Sequence, residues 1–78
     1  MAELKDILAD IAKAIVEEPD RVSVEQTQEN GETVLTLQVA PDDMGKVIGR
    51  HGKIARSIRM LMKAAASTAD EKVRVEIR

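Results

Sequence analysis

Residues 44–63, Met-Gly-Lys-Val-Ile-Gly-Arg-His-Gly-Lys-Ile-Ala-Arg-Ser-Ile-Arg-Met-Leu-Met-Lys, carry a helical apolar pattern that two glycines interrupt. Gly49 and Gly52 bracket Arg50 and His51. Glycine accepts backbone angles that other residues resist, so the pattern divides here into two helices joined by a tight turn. The first helix is short, starts at Pro41-Asp42-Asp43 and ends at Gly49; the second runs from near Gly52 to about Thr68. Proline suits the first helical position, and the two acids suit the positive end of the helix dipole. Between Lys46 and Lys63 the chain holds Lys46, Arg50, Lys53, Arg56, Arg59 and Lys63 and no carboxylate. A glycine turn at a helix start inside a purely basic window suggests phosphates lying against backbone N–H groups. The plainer reading is a helix–helix connection with solvated charge around it.

The rest of the chain supplies a scaffold for that turn. Leu4, Ile7, Leu8, Ile11, Ile15 and Val16 recur at three- and four-residue spacings, which predicts an amphipathic helix over residues 2–17 that Pro19 ends. Residues 21–27 and 33–39 alternate as half-buried strands, the second with Leu35, Leu37 and Val39 on one face. Asn30-Gly31 between them predicts a tight hairpin. Residues 72–78 alternate strictly, with Val73, Val75 and Ile77 facing inward. The order α-β-β-α-α-β predicts an α+β fold, a three-stranded mixed sheet covered on one face by three helices. The first two strands pair antiparallel, and the two-helix crossover makes the second and third parallel. Met44, Val47 and Ile48 are the expected inward residues of the short helix. Ile54, Ile58, Leu61, Met62 and Ala65 are those of the long one. Arg56, Arg59 and Lys63 share another sector of its wheel. Met60 lies near Ser57 and Ala64, a sector that suits a modest dimer contact or, as plainly, an ordinary exposed residue.

Seventy-eight residues predict one domain, residues 1–78, of marginal independent stability. Phe, Trp, Tyr and Cys are all absent, so the core is aliphatic and no disulfide is available; a reducing cytoplasm is expected. The start, Met1-Ala2-Glu3-Leu4-Lys5-Asp6, has neither the basic opening nor the apolar run of a signal peptide. No stretch approaches membrane-spanning length, so a soluble chain is expected. The net charge of −2 conceals an asymmetry: residues 1–40 hold three cations and nine carboxylates, residues 41–78 nine cations and five. Such opposition points to a polyanion-binding side and an acidic one.

Enzyme chemistry finds little support. The P-loop pattern fails, because Gly52-Lys53 has Val47 in place of the first glycine and Ile54 in place of the hydroxyl residue. One histidine and no cysteine leave no metal site, no catalytic triad and no expected cofactor. Base stacking on aromatic rings is likewise impossible.

Val47-Ile48-Gly49-Arg50-His51-Gly52 between two helices, within this order of elements, resembles a type II KH domain. With the run from Gly45 to Arg59, the whole chain is similar to the small bacterial KH proteins of the KhpA family. The resemblance implies single-stranded RNA binding, the loop clamping the backbone of about four nucleotides. The candidate contact residues are Lys46, Val47, Ile48, Gly49, Arg50, His51, Gly52, Lys53 and Arg56, the groove role of Val47 and Ile48 being what the resemblance implies, and the wheel sector of Ser57, Met60 and Ala64 is the candidate dimer surface. The resemblance also implies a homodimer, pairing with a larger KH-containing protein of the KhpB/Jag/EloR type, and work as an RNA chaperone or post-transcriptional regulator tied to cell division, elongation and cell-wall organisation. The alternative is a KH-fold protein-interaction module with weak or no RNA binding.

Overall fold

The structure is a computed structural model describing residues 3–78. Helix α1 (Leu4–Ile15) is followed by the hairpin β1 (Ser23–Glu29) and β2 (Glu32–Gln38). Helices α2 (Met44–Ile48) and α3 (Lys53–Thr68) come next, and β3 (Val73–Ile77) closes the chain. Strand β2 is central, antiparallel to β1 and parallel to β3. This is the expected α-β-β-α-α-β arrangement, an α+β fold with type II KH topology. The hairpin closes through Asn30 (φ 50) and Gly31 (φ 79), both left-handed as a primed two-residue turn requires.

Several boundaries differ from the expectation. The first helix stops at Ile15, and Pro19–Arg21 form a separate 3-10 turn that delays β1 to Ser23. Residue 2, placed in that helix from the sequence, lies outside the described residues. Pro41–Asp43 likewise form a 3-10 turn ahead of α2.

The core joins Leu8 and Ala12 of α1, Leu35 and Leu37 of β2, Val47 of α2, Ile58 and Met62 of α3, and Val75 of β3. Here α3 departs from its expected stripe. Its buried residues are Ala55, Ile58, Met62 and Ala66. Leu61 is 57% exposed and Ile54 37%. The helix is rotated so that Ala55, Ile58, Met62 and Ala66 are the face it turns to α1, α2 and β3, against which it packs. Ile48, also expected inward, is 37% exposed. With only five residues, α2 offers one fully buried position, taken by Val47. Among the described residues, no helix covers the opposite face of the sheet. Val34 is nonetheless 2% exposed there. Its cross-strand neighbour Arg74 spans the face to reach Glu29 (3.1 Å), Glu32 (3.5 Å) and Glu76 (3.6 Å), and the stem of such a side chain covers apolar surface.

Asp43 was expected merely to favour the helix dipole. It is 2% exposed. Its Oδ1 accepts the Glu17 backbone N–H at 3.2 Å and its Oδ2 that of Glu18 at 3.1 Å. The buried carboxylate therefore ties the end of α1 to the start of α2. Replacing Asp43 by alanine leaves both donors unpaired, with an expected loss of about 2–3 kcal/mol by urea denaturation. A variant as stable as the parent would show that the clasp is dispensable.

Candidate nucleic-acid interface

The glycine turn lies at the exposed joint of α2 and α3. Gly49 ends α2 with φ 75 and ψ 175 and donates its N–H to the Gly45 carbonyl at 2.9 Å. Arg50–Gly52 then make one tight turn, closed by the Gly52 N–H on the Gly49 carbonyl at 3.2 Å. His51 (φ 57) and Gly52 (φ 72) are both left-handed. A left-handed histidine is uncommon, and sequence reading gave no sign of it.

The two glycines have different surroundings. A Cβ on Gly49 would overlap Ile54 Cγ1 and stand 2.9 Å from the Ile54 backbone nitrogen. A Cβ on Gly52 would meet nothing within 4 Å. Gly49 is thus a packing requirement between the loop and α3. Gly52 leaves open space at the first turn of a sixteen-residue helix. Orphan N–H groups and the positive dipole end meet solvent there.

Arg50, His51, Lys53 and Arg56 are all exposed around this opening. Among the described residues, none of Arg50, Lys53 or Arg56 is ion-paired with a carboxylate. Lys46 differs, because its ammonium lies 3.6 Å from Glu17 and 3.9 Å from Asp43. It reinforces the Asp43 clasp and is not a free cation. Val47, expected at the groove, is 0% exposed and supports the loop from beneath. Ile48 and Ile54 form the apolar surface on either side of Gly49.

On α3 the exposed surface divides. Arg56, Arg59 and Lys63 lie on one side, with Arg59 Nε donating to the Val75 carbonyl of β3 at 3.2 Å. The other side carries Ile54 and Leu61, two turns apart, beside Ser57 and Ala64, all exposed. The Ser57 hydroxyl is turned back onto the Lys53 carbonyl at 3.0 Å, so it shows little polarity outward. Met60, 72% exposed, stands between the two sides. Leu61, the larger apolar residue of that surface, was missed because its spacing fits a buried stripe equally well.

A G-x-x-G turn between two helices on a three-stranded β1-β2-β3 sheet, with β2 and β3 parallel, defines a KH domain of type II. The family model for the KhpA/KhpB KH domain matches residues 5–77. The chain is 47% identical to the RNA-binding protein KhpA of Clostridium acetobutylicum over 74 residues, 95% of this chain and 99% of the relative. It is 47% identical to that of Caldanaerobacter subterraneus over 72 residues, 92% of this chain and 96% of the relative. The protein of the same name from Clostridium perfringens is 45% identical over 74 residues, with 95% and 99% covered. This chain belongs to the KhpA/KhpB KH-domain family, which is not a family of enzymes.

Proposed function

We propose that this protein binds single-stranded RNA in the cytoplasm, holding its phosphate backbone at Gly49-Arg50-His51-Gly52. The observation that carries the reading is the open space at Gly52, over the first turn of α3 and beside the unpaired cations Arg50, Lys53 and Arg56. Backbone N–H groups approach a phosphate there, mobile cations surround it, and Ile48 and Ile54 offer apolar contact to adjoining bases. The relatives' description as RNA-binding proteins supports the same reading. With no aromatic ring to stack on, each loop binds modestly, which suits an RNA chaperone or post-transcriptional regulator acting on many transcripts. A link to division, elongation and cell-wall control follows from pairing with a larger KH protein of the KhpB/Jag/EloR type. Affinity for an unstructured octamer, measured from low to moderate salt, is expected to fall with a log–log slope of about −2 to −3, for three or four neutralised phosphates. A flat dependence would sink the phosphate clamp.

A second reading concerns assembly. Leu61 and Met60, 57% and 72% exposed beside Ser57 and Ala64, suit the same face of a second copy. This surface and the basic side of α3 are distinct, so a dimer presents two loops at once and gains avidity. Leu61→Asp is expected to halve the mass measured by light scattering while keeping the native circular dichroism. An unchanged mass in the folded variant would exclude this surface.

A further inference from the structure

Strand β3 is an edge of the sheet, and its free side faces the basic sector of α3. The parallel ladder runs from the Thr33 N–H on the Lys72 carbonyl to the Arg78 N–H on the Leu37 carbonyl. In such a ladder alternate residues bond to the neighbouring strand. Lys72, Arg74, Glu76 and Arg78 therefore direct their backbone groups toward β2, and Val73, Val75 and Ile77 direct theirs to the open edge. One of those outward carbonyls, that of Val75, accepts the Arg59 Nε–H at 3.2 Å.

That bond sets Arg59 apart from the cations on either side of it. Among the described residues, Arg56 and Lys63 have no hydrogen-bonding or ion-pairing partner and are free to move. Arg59 is held by Nε on the β3 edge, and among the described residues its two terminal amino groups have no partner. It sits seven residues beyond Gly52, about 10 Å along the helix axis. A strand leaving the phosphate clamp along α3 passes it next. A guanidinium fork in fixed position matches two adjacent acceptors, and a guanine edge offers O6 and N7 in that arrangement. An unpaired base offers this edge freely, whereas in an RNA duplex it lies in a deep, narrow major groove that side chains cannot read.

We infer that Arg59, held in place by the Val75 carbonyl, is a specificity-determining residue that reads one guanine of the bound RNA; this rests on the RNA-binding reading above. Arg56 and Lys63 supply charge, whereas Arg59 supplies geometry. The test uses the full chain with two RNA octamers, eight uridines and the same strand with one central guanosine. The parent is expected to bind the guanosine octamer at least fivefold more tightly, within the range a good bidentate pair confers. Arg59→Lys keeps the charge but cannot bond the Val75 carbonyl and present a fixed fork at once, so it is expected to retain the parent's salt slope and to lose most of the preference. Arg59→Met is expected to lose the same preference and to flatten the slope as well. If the parent binds the two octamers equally, or Arg59→Lys discriminates as the parent does, the assignment is overturned while the phosphate clamp stands. A flat salt slope in the parent overturns the RNA-binding reading itself.

Discussion

Reversing charge at the tip of the loop, Arg50→Asp together with His51→Asp, is expected to weaken single-stranded RNA binding by a hundredfold or more. Two groups able to donate to phosphate are lost, each charge-assisted bond being worth about 1.5–3 kcal/mol. Two carboxylates then face the incoming phosphates. The fold is expected to survive. Both side chains are exposed, and no described carboxylate pairs with Arg50. His51 occupies the left-handed region at φ 57, which aspartate tolerates better than most residues. The denaturation midpoint should therefore stay close to the parent's, since substitutions at such surface sites usually change stability by about 0.5 kcal/mol or less. Fluorescence anisotropy on a labelled octamer reads the first effect and urea denaturation the second. A folded double variant that bound as the parent does would remove the loop from the RNA interface.

The two loop glycines should respond very differently to alanine. At Gly49 the new methyl meets two penalties. The backbone sits at φ 75, and the added carbon overlaps Ile54 and crowds its backbone nitrogen at 2.9 Å. With ψ at 175 that φ lies in a region essentially reserved for glycine, which costs a residue with a Cβ about 1–3 kcal/mol, and overpacking adds about 1–3. A loss of about 2–6 kcal/mol is a large share of a small domain's stability. Gly49→Ala is thus expected to leave much of the protein unfolded, or to push α3 off the loop. Gly52→Ala meets open space at φ 72, so only the backbone strain applies. It should fold, with a loss of about 1–2 kcal/mol, and weaken RNA binding because the methyl occupies the space left for phosphate. Equal stability of the two variants would contradict the asymmetry. A second substitution is informative: Ile54→Ala removes Cγ1, the closest obstructing atom, and leaves the residue's Cβ and nitrogen at 2.9 Å, so pairing it with Gly49→Ala should recover part of the lost stability, the non-additivity expected of touching residues.

Local chemistry made most of this protein readable from its residues. Alternation in residues 21–39 and 72–78, the Asn30-Gly31 turn and the three-to-four spacing of α1 each reflect a choice made within a few neighbouring residues. The same holds for the loop, where glycine spacing and missing carboxylates are visible in one line of sequence. Boundaries were less legible, because Pro19 and Pro41 each begin a 3-10 turn where a direct passage into the next element was equally consistent.

What the sequence determined by itself is the order of elements, the position of the glycine turn and the basic character of its surroundings, since these depend on periodicity and composition along the chain. Tertiary structure alone decided which face of α3 is buried. Ile54, Ile58, Leu61 and Met62 satisfy a helical stripe as well as Ala55, Ile58, Met62 and Ala66 do, and only the packing of α3 against α1, α2 and β3 selects the second set. It likewise made Asp43 a buried clasp with Lys46 beside it, separated the role of Gly49 from that of Gly52, and fastened Arg59 to Val75. The clasp and the Arg59 bond depend on residues far apart in the chain, Asp43 on Glu17 and Arg59 on Val75, and no local pattern encodes such a distance.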